Sequence, residues 1–293
     1  MDEWADNVPA VALATRLAAL FGQLPAVVAV ALGGSLAGGV ADAASDVDLE
    51  VYTRGEIPID ARRAIVERAG GARRADMGLV YFGPNDEWYD AASGIHVDAA
   101  YFDFDWMAAQ VHRATEEHAP SLGYSTAFWH TVRVSRALYD PTGALAALQA
   151  AAAVPYPEPL RRAIVAYNRP ILRETISSYR AQVAKAIARG DAVSANHRLA
   201  ALLASYFDIV FAVNRVPHPG EKRLLARAAA LCASLPDGLA EDVPATLAAG
   251  GTAAPETLAH LDRLLDRLDM WLAEQIGPGA PSQARRDRRP DAL

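Results

Sequence analysis

The chain turns at Gly33-Gly34-Ser35, between an apolar run, Ala26–Leu32, and a segment in which acidic and apolar side chains alternate, Ser45-Asp46-Val47-Asp48-Leu49. Ala26–Leu32 is short, continuous and rich in β-branched residues, the pattern of a strand buried on both faces. Two consecutive glycines permit backbone angles and close approaches that a Cβ would forbid. Exposed N–H groups at such a turn attract phosphate oxygens, and Ser35 adds a hydroxyl that can cap a following helical turn. In the next strand successive side chains emerge on opposite faces, so Asp46 and Asp48 project together while Val47, Leu49 and Val51 point the other way. Two carboxylates on one face repel each other unless a cation lies between them. Hard oxygen donors of this kind suit Mg²⁺.

Other chemistries that use glycine turns or acidic clusters do not match. A P-loop requires Lys and Ser or Thr after its second fixed glycine, whereas Gly38 is followed by Gly39-Val40. A dinucleotide fingerprint requires glycine where Ser35 stands. The seven histidines form no His-Glu-x-x-His pattern, and the single cysteine, Cys232, can build neither a thiolate metal site nor an internal disulfide.

Gly33-Gly34-Ser35, the spacer and Ser45-Asp46-Val47-Asp48-Leu49 resemble the glycine-serine plus paired-aspartate signature of the DNA polymerase beta type nucleotidyltransferase superfamily, and within it the bacterial small-molecule branch related to aminoglycoside nucleotidyltransferases. The resemblance is carried by the first half of the chain and extends weakly to Asn214 and His218–Arg223. It implies a third carboxylate from a later strand, and Gly94-Ile95-His96-Val97-Asp98-Ala99-Ala100-Tyr101-Phe102 supplies Asp98 in a suitable context. Ile95 and Val97 would face the core, leaving His96 and Asp98 on the opposite side. His96, a lone histidine on a strand, reads first as a structural hydrogen-bonder. Asp103 and Asp105 stand where that strand ends and read as caps of a helix over Trp106–Glu117.

The fold expected is α/β, a mixed-sheet nucleotidyltransferase domain followed by an all-helical C-terminal domain. Asp6–Phe21 has the apolar recurrence of a helix covering one sheet face, and Asp60–Ala69 reads as a second helix stopped by Gly70-Gly71. Met77–Phe82 reads as a strand, Gly83–Ser93 as a polar loop, and Ser125–Leu138 as a helix. The prolines of Val154-Pro155-Tyr156-Pro157-Glu158-Pro159 mark a boundary, so residues 1–153 form the catalytic domain and 154–277 a helical substrate- or nucleotide-binding domain. Within the latter, Leu160–Arg189 forms one or two helices interrupted near Pro170 and ended by Gly190. Asp191 then caps a helix running toward Asn214. The last helix places Leu261, Leu264, Leu265, Leu268, Trp271 and Leu272 on one stripe, with Asp262, Arg263, Asp266 and Arg267 opposite. Residues 278–293, rich in Gly, Pro, Arg and Ser, are expected to be disordered.

Charge narrows the partners. The formal net charge is −7, and the final segment from Pro278 carries +2, which leaves −9 on residues 1–277. A protein that tracks a nucleic-acid backbone presents a strong basic surface instead, so nucleic acid is not expected as a partner. An acidic surface suits a cationic small molecule. The acidic start, Met1–Asp6, is unlike a secretory leader, and no apolar run reaches membrane-spanning length, so the expected setting is cytoplasmic, without membrane contact. Lys222 is one of two lysines against 26 arginines. It follows Pro217-His218-Pro219-Gly220 near an expected helix start, where its ammonium could meet a triphosphate.

The function expected is transfer of a nucleoside monophosphate, AMP from ATP in the first instance, to a hydroxyl of a small acceptor such as an aminoglycoside, with release of pyrophosphate. Asp46, Asp48 and Asp98 are the catalytic and metal-binding residues for two Mg²⁺ ions, and Gly34, Ser35 and Lys222 the nucleotide-binding ones. The acceptor is expected between the domains. Alternatives are modification of a protein or tRNA, and a non-catalytic nucleotide-binding regulator with the same fold.

Overall fold

The structure is a computed structural model and describes residues 8–37, 46–81 and 83–276. Of these, the residues up to His112 together with Phe128–Val154 form one compact unit, and Arg113–Ala127 with the residues from Pro155 onward form a second. Asp6, the Gly38–Ser45 spacer, Phe82 and the 278–293 tail lie outside the described residues.

In the first unit, helix α1 (Val8–Phe21) precedes strand β1 (Val27–Leu32), a one-turn helix α2 (Gly34–Ala37) and strand β2 (Val47–Thr53). Then come α3 (Ile59–Arg68), β3 (Ala72–Leu79), β4 (Asn85–Asp90), β5 (His96–Asp103), α4 (Phe104–Thr115), α5 (Ala127–Val134), β6 (Arg136–Tyr139) and α6 (Ala144–Ala152). The six strands make one mixed sheet in the order β3-β4-β5-β2-β1-β6, with β2 and β5 parallel and the other pairs antiparallel. Alternation decides its two faces. Val30 and Leu32 of β1, Val47, Leu49 and Val51 of β2, Trp88 of β4, and Val97 and Ala99 of β5 bury into one core with Leu13, Leu17 and Phe21 of α1 and Ile65 and Val66 of α3. Each of the Val, Leu, Ile and Phe side chains among them contributes ~1.5–3 kcal/mol through burial. The even-numbered side chains of β2 and β5 are thereby committed to the other face.

Inside that core sits one charged assembly. The Asp86 carboxylate of β4 is fully buried and receives hydrogen bonds from Arg62 Nη1 of α3 (2.8 Å), Tyr101 Oη of β5 (2.7 Å) and the Gly78 amide of β3 (2.7 Å). The Arg62 guanidinium also lies 4.9 Å over the Tyr101 ring. A buried carboxylate is tolerated only when its oxygens are paired in this way.

Three elements differ from the sequence expectation. The segment read as a polar loop contains β4, because its inward positions carry Asp86 and Asp90 and so lack an apolar signal. The strand expected at Met77–Phe82 begins earlier, at Ala72. The helix expected to reach Leu138 stops at Val134, and Arg136–Tyr139 becomes the edge strand beside β1. Asp103 does cap α4, its Oδ1 accepting from the Trp106 amide (2.8 Å), whereas Asp105 lies in the first helical turn and pairs with Arg54.

The second unit is helical: α7 (Glu158–Arg173), α8 (Tyr179–Ala188), α9 (Ala192–Val213), α10 (Leu224–Leu231), α11 (Leu239–Gly250) and α12 (Glu256–Ile276). Helix α9 is its axis, buried almost continuously from Ser205 to Val213 and packed by α7, α8, α10 and α11. Asp191 caps it by accepting from the Ser194 amide (2.9 Å). Pro170 is accommodated inside α7, and the break falls at residues 174–178. The apolar stripe of α12 is buried as expected, while its charged side is tied to neighbouring helices: Asp262 to Arg180, Asp266 and Asp269 to Arg173, and Arg263 and Arg267 to Asp242.

Helix α9 also carries Asp208, 1% exposed, which accepts from the Ser125 amide (3.0 Å), Ser125 Oγ (2.6 Å) and Asn168 Nδ2 (3.2 Å). These bonds hold the Ser121–Thr126 segment. Burial pushes the Asp208 carboxyl up to about 7, and the bonds from Ser125 only partly oppose it. The folded state therefore keeps this proton more tightly than the unfolded chain does. Its contribution to stability is complete at acidic pH and is lost as pH rises from about 4 toward 7, on the order of 4 kcal/mol in all. Urea unfolding over that range should give a flatter profile for Asp208→Asn than for the wild type; an unchanged slope would show that this carboxyl titrates normally.

Candidate functional site

The face of the sheet opposite the apolar core carries the acidic residues. Asp48 and Asp98 are register partners in the parallel β2·β5 pair, so they stand side by side on one face. Adjacent strands lie ~4.8 Å apart, which sets the scale of that separation. Asp46 precedes β2, more than half exposed, with its Oδ2 3.6 Å from His96 Nδ1. The structure thus brings the three aspartates and His96 to the same face. Asp48 and Asp98 are half-buried there, with Leu49 and Val97 turned into the core.

Glu50 belongs to the same row and was missed, although the acid-every-second-residue spacing Asp46, Asp48, Glu50 is legible in the sequence. It is 8% exposed and accepts a hydrogen bond from Tyr52 Oη (2.7 Å). Burial pushes its carboxyl up to about 7, the charge of Asp48 adds to that, and hydrogen bonds from Tyr52 and Ser135 oppose it. Near neutrality Glu50 is therefore partly protonated, which lowers the negative charge facing Asp48.

Two further residues come from β4. Glu87 is the register partner of Asp98, and Asn85 Nδ2 donates to both Glu87 Oε1 (3.1 Å) and Asp98 Oδ1 (3.3 Å). Glu87 Oε2 lies 3.7 Å from His96 Nε2, and the His96 ring rests against Tyr89 at 5.1 Å. Neither Asn85 nor Glu87 was anticipated, since their segment reads as a loop.

The glycine turn has a local cause. Gly33 donates its amide to the Asp48 carbonyl (2.9 Å), and a Cβ at Gly33 would stand 2.5 Å from Glu50 Oε1. Gly34 has φ +60°, and a Cβ there would overlap the Asp48 carboxylate. The two acidic side chains thus fill the space that the glycines leave. Ser35 lies in α2, but its side chain is outside what the structure describes. Lys222 is exposed in the turn before α10 of the helical unit. His218 in the same loop is fully buried; its amide donates to Thr126 Oγ1 (2.7 Å), and its Nδ1 accepts from Gly220 (3.1 Å), so it braces the loop. Asn214 caps α9 and ties it to Ser234, a structural role. Cys232 is partly buried, which pushes its thiol up to about 11, so it is no nucleophile at neutral pH.

Hard oxygen donors on neighbouring strands match the ligand preference of Mg²⁺. Among the described residues no three His, Cys, Asp or Glu side chains are gathered to metal-ligand distances. Asp46, Asp48 and Asp98 fit such an ion by donor chemistry and by shared face. No described helix is long and apolar enough to cross a membrane.

Residues 128–224 match a family model described as a domain of unknown function, DUF4037. That stretch begins after all three aspartates. No curated protein matches the sequence. Among solved structures, a nucleotidyltransferase-like protein from Exiguobacterium sibiricum 255-15 is similar at 13% identity and a TM-score of 0.41, over 90% of this chain and 77% of that one. A likeness of that degree assigns no activity to this chain.

Gly34→Ala tests the packing of the turn on Asp48. A Cβ at positive φ that also displaces the carboxylate should cost about 1–3 kcal/mol, read as a lower midpoint in thermal unfolding. Gly55→Ala, with φ +98° but open space around its Cβ, is the control for the backbone contribution alone; equal losses at both positions would remove Asp48 from the explanation.

Proposed function

We propose that this chain is a Mg²⁺-dependent nucleotidyltransferase, moving a nucleoside monophosphate, AMP from ATP as the first candidate, onto a hydroxyl of a small acceptor. The observation that carries this reading is the pairing of Asp48 with Asp98 in parallel strands, with Asp46 two residues before Asp48 on the same face. The glycine turn of β1 abuts that face directly.

In this reading Asp46, Asp48 and Asp98 would hold two Mg²⁺ ions. Bound divalent cations would lower the pKa of the acceptor hydroxyl and neutralise the departing pyrophosphate. The protein's own part is orientation and charge. The backbone at Gly34 and the Ser35 hydroxyl hold the β- and γ-phosphates. The hydroxyl oxygen bonds to the α-phosphorus as the α–β bridging bond breaks, and pyrophosphate leaves with that electron pair. Asp98 joins the cation shell or accepts the hydroxyl proton. Glu50, partly neutral, backs Asp48 without adding a full charge. Lys222 is proposed for the nucleotide's phosphates on its exposure and on the scarcity of lysine in this chain.

The acidic character of the face, extended by Glu87, favours a cationic acceptor of the aminoglycoside kind over a nucleic acid, whose phosphates it would repel. Acceptors that are proteins or tRNA, and a nucleotide-binding role without turnover, are the competing readings.

The decisive assay is pyrophosphate release from each of the four nucleoside triphosphates with Mg²⁺ and a panel of hydroxylated cationic acceptors. Release is expected from the wild type and should fall at least a thousandfold in Asp48→Asn, with circular dichroism unchanged. Undiminished release by that variant would refute the assignment. Transfer of labelled AMP to macromolecules alone would move the acceptor to protein or tRNA.

A further inference from the structure

Asp48, Asp98 and Glu87 lie in one line across β2, β5 and β4, since Asp98 is the register partner of both others. Like charges directly opposite one another in a sheet are destabilising, so something must hold the Asp98–Glu87 pair. Asn85 is placed to do so. It occupies the diagonal position next to Asp98 on β4, and its one amide nitrogen carries two hydrogens, directed to Asp98 Oδ1 and Glu87 Oε1. The opposite amide orientation would turn its oxygen toward two carboxylates, so the chemistry of the neighbours fixes the assignment. The second oxygen of Glu87 faces His96 Nε2 at 3.7 Å. Glu87 is thus hydrogen-bonded at one oxygen, to Asn85, while its other oxygen only lies near the His96 ring.

Resting on the reading of Asp46, Asp48 and Asp98 as a cation site, we infer that strand β4 completes that site. Asn85 is a positioning residue that orients the Asp98 carboxylate, and Glu87 is a fourth acidic side chain whose charge strengthens cation binding from the far side of Asp98. The two contributions differ in kind. Asn85 acts through orientation, which salt does not screen, whereas Glu87 acts through Coulomb attraction, which salt does screen.

Mn²⁺ serves as the probe, titrated into the full-length protein and followed by the electron paramagnetic resonance of the free ion at 50 mM and 500 mM KCl. Asn85→Ala should weaken Mn²⁺ binding about tenfold at both salt concentrations. Glu87→Gln should weaken it roughly threefold at low salt and hardly at all at high salt. A purely structural role for either residue would move the melting temperature without this salt-dependent split. Wild-type affinity in folded Asn85→Ala, with binding still abolished by Asp48→Asn, would overturn this inference and leave the cation site standing. Wild-type protein that binds no Mn²⁺, or binding that survives Asp48→Asn, would overturn both. Should Asn85→Ala fail to fold, Glu87→Gln decides: unchanged affinity at low salt removes β4 from the site.

Discussion

Electrostatic repulsion on one face of a sheet is the constraint around which the first unit is arranged. Asp46, Asp48, Glu50, Glu87 and Asp98 all emerge on the side away from the apolar core, and a one-residue slip of β2 or β5 would drive carboxylates into that core. The register is therefore held strongly by the face that carries no function. Asp86 makes this explicit for β4: because its carboxylate is buried against Arg62, Tyr101 and Gly78, its neighbours Asn85 and Glu87 are forced outward. A charged pair inside the core thus aims two polar side chains at the opposite face. The repulsion that remains is moderated by partial protonation of Glu50 and by the Asn85 amide.

Much of this is legible in the sequence wherever period-two alternation is intact. In Val47-Asp48-Leu49-Glu50-Val51 and in Ile95-His96-Val97-Asp98 the inward residues are apolar, so the outward ones identify themselves, and the facing of Asp46, Asp48 and Asp98 follows without coordinates. Strand β4 escapes because its inward positions are Asp86, Trp88 and Asp90. Two of the three look like surface residues: Asp86 is buried against Arg62, Tyr101 and the Gly78 amide, which come from three other elements, and Asp90 accepts from the Ser93 amide and hydroxyl. Strand β6 escapes for another reason. Four residues, the first two of them exposed, pair with β1 only once the sheet exists, while the residues before them have helical spacing. The glycine pair was legible as a turn, but its close neighbours are the acidic side chains of β2, which no local pattern specifies.

The helical unit illustrates a different division between local and tertiary information. Its helices follow from caps and stripes that are local, such as Asp191 before α9 and the leucines of α12. The buried polar cluster of Asp208, Asn168 and Ser125 joins residues 40 to 83 positions apart, so nothing in a local reading marks it. The same holds for His218, which its position in a Pro-Gly-rich loop presents as a surface residue and the structure buries completely. The family match at 128–224 covers Asn168, Asp208 and His218 but none of the acidic residues of the sheet. The stretch that matches a known family and the stretch that carries the proposed chemistry are thus separate parts of the chain, and neither can stand as support for the other.

The charge on the acidic face also orders events in the proposed reaction. A triphosphate alone meets three aspartates and Glu87, and each carboxylate-phosphate pair at ~5 Å opposes binding by a few kcal/mol at an effective dielectric near 20. The glycine turn does not offset this, because α2 is a single turn with too few aligned peptides to make a strong dipole. In the proposed reaction the cation would then arrive before the nucleotide or together with it. A cationic acceptor meets the opposite situation, attracted by the same charges that exclude the free nucleotide. In the proposed reaction one face would serve both substrates if cations held by Asp46, Asp48 and Asp98 took the phosphates and the charge of Glu87, beyond Asp98, were left for the acceptor. The distribution of charge along the row, rather than its total, is what would let a single sheet surface bind an anion and a cation next to each other.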